Sequence, residues 1–293
     1  MRNLFVRILE KISKAVEIIL LYLAPKHKIF DNAFIERINL DLKDIKRKLF
    51  FNDEIPGYKV VAEDDATFSD NDCEFPIADR RDDTRHQRLV NKSEKIFNKK
   101  IKFLDLGCAG GGLVFDFLTK GHEAIGIEGS DFPEKSSLAH WHVIPNNLFT
   151  ADLTKPLKIY DSGNRLCVFD LISAWEVMEH IAETDINQFI NNLLLHMSDE
   201  GLFICSVSTV EFVDKKTGIA WHKTVQDKNW WVEKFKQNGL IEADTNFGYL
   251  DFSRGSSNLS ASDWDSKKNP ELGFHLVLKK MPKGELESSW DVS

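Results

Sequence analysis

The run FLDLGCAGGGLVFDFL at 103–118 joins an apolar stretch, a carboxylate at Asp105 and a turn through Gly107, Gly110, Gly111 and Gly112. Glycine lets a backbone turn tightly and approach a ligand closely, because no side chain stands in the way. A glycine-rich turn between strand and helix also serves dinucleotides, so alone it indicates only a nucleotide-like ligand. The acids around it discriminate further. Asp105 stands two residues before the first glycine, Glu128 ends the next apolar stretch (EAIGIEG), and Asp152 ends the one after (TADLT). A pyrophosphate would be drawn to the helix N-terminus and repelled by such a carboxylate. A phosphate-free nucleoside with a cationic amino-acid end suits the set. Asp105 would take the ammonium, Glu128 both ribose hydroxyls and Asp152 the adenine amino group. Any one of these acids is as well explained by a cap at a strand or helix end. Three after successive strands are not.

A second constellation is AWEVMEHI, which offers Glu176, Glu179 and His180 at positions i, i+3 and i+4, the neighbours on one face of a helical turn. Three chemistries are open to it. His180 could be a general base, since an ordinary imidazole titrates near neutrality. Glu176, Glu179 and His180, with His222 from AWHKT, could hold magnesium or manganese and so orient and acidify an acceptor hydroxyl. Or the acids merely favour a helix N-terminus while His180 bonds a nearby loop. Trp175, just ahead of the trio, could face a sulfonium by cation–π attraction or serve as a plain core residue.

Positioning these groups requires a layered scaffold. From residue 101 short apolar runs alternate with helical stretches: KFLDLG, EAIGIEG, NNLFTAD, CVFDLISAW and GLFICSVS, with a helix at 186–197. That alternation marks βα units and a parallel sheet. A helix at Lys228–Gln237, a strand within 240–249, a Ser- and Asp-rich connection at 251–270 and the strand FHLVLKK at 274–280 complete the pattern. A helix at 84–97 precedes the first strand of the series, and its arginines, Arg85 and Arg88, could face substrate or water, with the solvated face the first reading.

The first 55 residues carry two apolar stripes at three- and four-residue steps, separated near Pro25 and closed by Pro56-Gly57. They read as a helical hairpin extension that packs on the catalytic domain (56–280), on a second copy, or, through an excess of Lys and Arg, on a membrane surface. Charged residues interrupt the stripe before it reaches bilayer-spanning length. Residues 281–293 form a tail. With 42% hydrophobic and 29% charged residues in 293, the chain has the composition of a folded globular protein. A net charge of −8 argues against a surface built for polyanions, so nucleic acid is not an expected partner. Cys73, Cys108, Cys167 and Cys205 form no C-x-x-C pair, which fits a cytoplasmic setting.

The run 103–206 resembles the core of class I S-adenosylmethionine-dependent methyltransferases, through D-x-G-x-x-G at Asp105, Gly107 and Gly110, the acids after the second and third strands, and FDLISAWEVMEHI after the fourth. The resemblance implies an α/β, Rossmann-like seven-stranded sheet in the order 3-2-1-4-5-7-6, with strand seven antiparallel and formed by FHLVLKK. It further implies a pocket for S-adenosyl-L-methionine lined by Asp105, Gly107, Cys108, Gly110, Glu128, Gly129, Asp152, Leu153 and Trp175. E-x-x-E-H is similar to the metal motif of small-RNA terminal ribose methyltransferases and of some ubiquinone-pathway O-methyltransferases. The expected activity is O-methylation of a small polar or glycan-like acceptor, with His180, Glu179 and His222 catalytic. Metal-dependent 2'-O-methylation of RNA and a non-catalytic cofactor-binding scaffold are the alternatives.

Overall fold

The computed structural model describes residues 57–66, 85–215, 217–252, 269 and 271–282. The helical extension expected at 1–55, with its membrane or self-association role, and most of the 251–270 connection and of the tail lie outside the described residues. In chain order the elements are β1 (Lys59–Ala62), α1 (Gln87–Phe97), β2 (Lys102–Leu106), α2 (Gly112–Thr119), β3 (Glu123–Glu128), α3 (Phe132–Lys135), β4 (Leu148–Thr150), β5 (Leu157–Tyr160), β6 (Phe169–Trp175), α4 (Ile186–His196), β7 (Met197–Ser208), α5 (Lys228–Gln237), β8 (Leu240–Glu242) and β9 (Gly273–Lys280).

Seven strands form one sheet in the order β4-β3-β2-β6-β7-β9-β8. Strands β4, β3, β2, β6 and β7 run parallel, and β9 is antiparallel to both of its neighbours. Counted along the sheet's own strands this is the expected 3-2-1-4-5-7-6. The central strands are buried almost throughout, as parallel strands covered on both faces must be. One face packs Leu104, Ile172 and Phe203 under α4 and α5, through Phe189, Trp231 and Phe235. The other packs Phe103, Leu171 and Ile204 under α1 and α2, through Leu89 and Phe117. Helix α5 begins where expected because the Asp227 side chain accepts from the Trp230 amide and caps it.

The strand order reverses between β2 and β6. That reversal opens a crevice at the carboxyl ends of the strands, where open α/β sheets place their ligands. The register sets Asp105 of β2 beside Ser173 of β6, so both halves of the site begin at this crevice.

One local expectation is corrected, and two features stand outside the expectations. The strand expected within 240–249 stops at Glu242; the chain then leaves the sheet and turns at Tyr249–Asp251, where the Asp251 carboxylate accepts from the Gly248 amide. A separate ribbon of β1 and β5 pairs antiparallel, Lys59 with Tyr160 through Ala62 with Leu157, and buries Leu157 and Ile159. Arg85 is exposed, as its place on a solvated face implies, yet its guanidinium also lies 2.5 Å from Asp116, a carboxylate within the buried face of α2. Arg88, although more exposed, pairs with Asp251 at 2.6 Å. Among the described residues no helix is long and apolar enough to cross a membrane.

Candidate active site

The loop after β2 is built so tightly that only glycine fits at its turn. Gly107 has φ +76°, and a Cβ there would lie 2.3 Å from a methyl of Val177, in the turn after β6. Gly111, at φ +79°, caps α2. Between them Ala109 is left-handed at φ 44°, which costs a non-glycine residue about 1–3 kcal/mol unless its surroundings enforce it. Three bonds do so. The Ala109 amide donates to Glu128 Oε2 at 2.7 Å, its carbonyl accepts from Trp141 Nε1 at 2.7 Å, and the Gly110 carbonyl accepts from the His140 amide at 2.9 Å.

The three carboxylates stand at the carboxyl ends of adjacent strands. Asp105, 3% exposed, accepts from Ser173 Oγ at 2.5 Å. Glu128, half-buried at the end of β3, also accepts from the Ser130 amide at 3.2 Å across Gly129, so loop and acid are fixed together. Asp152 takes the Thr154 amide at 2.8 Å and Thr154 Oγ1 at 2.7 Å, both on Oδ1, which is the capping role that short acids adopt in turns. Leu153 beside it is buried. Burial, with Glu128 and then Asp105 close by, pushes the Cys108 thiol well up, so it stays protonated and unreactive. Trp175 ends β6 half-buried against the same core as Phe247 and Phe252, with its indole nitrogen buried and without a hydrogen-bond partner among the described residues.

Beyond Trp175 the chain departs from the expected helical turn. Glu176 is left-handed at φ 54°, and its amide donates to the carbonyl and to Oγ of Ser206, at 3.1 and 3.2 Å. Only Met178–His180 form a turn, of 3-10 type. Glu176 therefore does not share a face with Glu179 and His180, and it stands outside the group these two form. That group is completed by His222: one ligand atom each from Glu179, His180 and His222 lie within 4.8 Å of one another.

Hydrogen bonds from distant chain hold the trio. Glu179 is fully buried; Oε1 accepts from the Ser208 amide at 3.2 Å, and its carbonyl accepts from the Lys223 and Thr224 amides at 2.7 and 3.0 Å. Thr224 Oγ1 donates to the Ile181 carbonyl at 2.7 Å. His180 Nδ1 bonds the Trp221 carbonyl at 3.0 Å, and His222 Nδ1 bonds the Val210 carbonyl. A carbonyl only accepts, so each ring carries a proton on Nδ1, and a neutral His180 then keeps its lone pair on Nε2. The rings meet edge to face, 4.8 Å between centroids. Burial first, and then His222, lower the His180 pKa to about 4, so this imidazole is neutral at pH 7.

A cavity of about 370 Å³ opens beside the trio, lined by Glu183, Phe212, Val213, His222, Lys223 and Gln226 among others. Of the trio only His222 lines this cavity, with Glu179 and His180 set behind it, so the three offer one carboxylate and two imidazoles near a bound hydroxyl. They also form a donor set for a divalent cation, and a buried carboxylate gains from a compensating charge. Ser173, Ser208 and Thr224 carry this geometry and were not singled out in the sequence. Their only signals there are a strand-end position and the H-x-T spacing of His222 and Thr224.

Residues 78–245 match a family described as a methyltransferase domain. A ubiquinone biosynthesis O-methyltransferase of Rickettsia prowazekii is 22% identical over 222 residues, covering 71% of this chain and 83% of that protein. One from Bartonella tribocorum is 31% identical over 121 residues, covering 41% and 45%. A crystal structure of a TehB-like methyltransferase from Corynebacterium glutamicum, at 17% identity and a TM-score of 0.44, covers 70% of this chain and 92% of its own. The family match takes in more than half of the chain, including the glycine loop, the acids and His222. The chain belongs to the methyltransferase domain family.

Proposed function

We propose that this protein transfers the methyl group of S-adenosyl-L-methionine to a hydroxyl oxygen of a small polar or glycan-like acceptor. The observation that carries the reading is the neutral His180 held beside Glu179 and His222 at the mouth of β6, next to a cavity and one turn from the glycine loop. The acceptor oxygen attacks the methyl carbon in line, the carbon–sulfur bond breaks with its electron pair going to sulfur, and the hydroxyl proton passes to His180 Nε2. Orientation and exclusion of water supply much of the rate, because the sulfonium already activates the carbon. Asp105 would take the cofactor's ammonium, Glu128 its ribose hydroxyls, Asp152 the adenine amino group, and Trp175 a flank of the sulfonium. The curated relatives are named as O-methyltransferases, which supports oxygen as the acceptor atom. A cytoplasmic site of action agrees with the free, buried Cys108, Cys167 and Cys205.

A second reading of the same face is favoured by the ligand spacing. Glu179, His180 and His222 would hold a divalent ion, which when bound lowers the pKa of the acceptor hydroxyl. Two imidazoles in the set suit manganese better than magnesium. Label transfer from S-adenosylmethionine to a panel of sugars, catechols and a short RNA, with and without EDTA, tests both readings. Transfer to a small hydroxylated acceptor that survives chelation supports the base, and transfer silenced by EDTA and restored by manganese supports the ion. RNA as the sole acceptor, or cofactor binding with no transfer to any, goes against the proposal.

A further inference from the structure

Asp116 is an acid inside the buried face of α2, fully buried, and the chemistry above makes no use of it. Its carboxylate collects donors from the chain leading into α1. Arg85 donates through Nε at 2.6 Å, with a second guanidinium nitrogen at 2.5 Å, the His86 amide donates at 2.7 Å and Gln87 Nε2 at 2.5 Å. Helix α1 has no acid in its own first turn, so Asp116 supplies from a neighbouring helix the negative charge that a helix N-terminus favours. His86 caps α1 by accepting from the Leu89 amide on Nδ1, which leaves Nε2–H to donate to the Phe252 carbonyl. Burial raises the Asp116 carboxyl above its ordinary range, and Arg85, Gln87 and the His86 amide oppose that rise.

The knot abuts the glycine loop. Asp116 lies four residues into the helix that Gly112 opens, so it stands about 6 Å along the axis from the loop. Its neighbour Phe115 carries the Arg85 guanidinium over its ring at 4.8 Å and packs on His140 at 4.3 Å. The His140 amide holds the Gly110 carbonyl. A chain of direct contacts thus runs from the start of α1 through Asp116 and Phe115 to the loop.

We propose that Asp116 is a positioning residue for the cofactor: by clamping Arg85, the His86 amide and Gln87 it sets the start of α1 against the glycine loop and so shapes that wall of the pocket. The inference rests on the S-adenosylmethionine reading of that loop. A charged donor set lost from one buried acid would be felt in the pose of the loop more than in the chemistry at His180, which lies across the crevice.

Calorimetric titration with S-adenosylhomocysteine, alongside thermal unfolding, tests this in the full chain with Asp116→Asn, Arg85→Met, the double variant and Phe235→Leu, a core change on the opposite face of the sheet. Asp116→Asn should weaken binding about tenfold, Arg85→Met by a similar factor, and the double variant no further than Asp116→Asn alone. Turnover at saturating cofactor should stay within about twofold of wild type. Phe235→Leu should lower the melting temperature and leave affinity unchanged. Wild-type affinity in Asp116→Asn, with only a lower melting temperature, would overturn the proposal. Should that variant fail to fold, wild-type affinity in Arg85→Met would overturn it equally. Failure of the wild-type protein to bind S-adenosylhomocysteine would instead sink the cofactor reading itself.

Discussion

The ends of β2, β3 and β4 and the ends of β6 and β7 form two halves of one crevice, and they are assembled in opposite ways. In the first half two of the three acids are tied to nearby chain, Thr154 and Asp152 being two residues apart, Ser130 and Glu128 two, and Ala109 and Glu128 nineteen, while Asp105 alone reaches far, to Ser173 across 68 residues. In the second half Ser208 reaches Glu179 across 29 residues, His180 reaches Trp221 across 41 and Thr224 reaches Ile181 across 43. A pocket for an invariant ligand can be written into one βαβ unit. A surface that must fit a particular acceptor draws on loops from several strand ends, which can vary without disturbing the rest.

The comparison breaks most visibly at His180. His180→Ala should lower turnover by about 10² to 10⁴-fold, the usual worth of a general base, while S-adenosylhomocysteine affinity measured by calorimetry stays near wild type. Equal losses in turnover and cofactor affinity would mean that the halves are not separable. Gly107 is where they touch, since the side chain it lacks would strike Val177. Gly107→Ala should therefore cost about 2 to 4 kcal/mol of stability in denaturant unfolding, from left-handed backbone plus overpacking, and impair both functions together.

In the first half alone, Glu128→Ala should weaken cofactor binding by about 1 to 3 kcal/mol, because it removes hydrogen bonds to a charged group and loosens Ala109. Turnover at saturating cofactor should fall far less. The smallest effect concerns pH. His180 is held neutral with a pKa of about 4 against 6.5 when unfolded, so the unfolded chain binds more protons. Its contribution to stability is full above about pH 6.5 and is lost as pH falls toward about 4. Melting temperatures of wild type and His180→Gln should converge, or cross in favour of the variant, over that window. A constant difference would contradict the burial-driven shift.

The contrast in assembly also explains what could be read in the residues beforehand. The glycine loop and its three acids are legible because their spacing is local, and the sheet order follows once the run 103–206 is matched to its fold. The turn after β6 is not legible in the same way: helical spacing suggests that Glu176 joins Glu179 and His180, yet two bonds to Ser206, thirty residues on, hold Glu176 in a left-handed conformation. Arg85 reads as solvated and is exposed, but its bond to Asp116, 31 residues later, cannot be read from the spacing. The β1 and β5 strands, four residues each, are too short to announce themselves and gain stability only from each other and from the core beneath.

The central claim is that the carboxylate-flanked glycine loop selects a phosphate-free, cationic nucleoside cofactor and that the His180 face acts on it without holding it. Titration of wild type and His180→Ala with S-adenosylhomocysteine and with NAD tests this directly. The account predicts that both proteins bind S-adenosylhomocysteine with matching micromolar affinity and that neither responds to NAD. Micromolar NAD binding with no response to S-adenosylhomocysteine would contradict it.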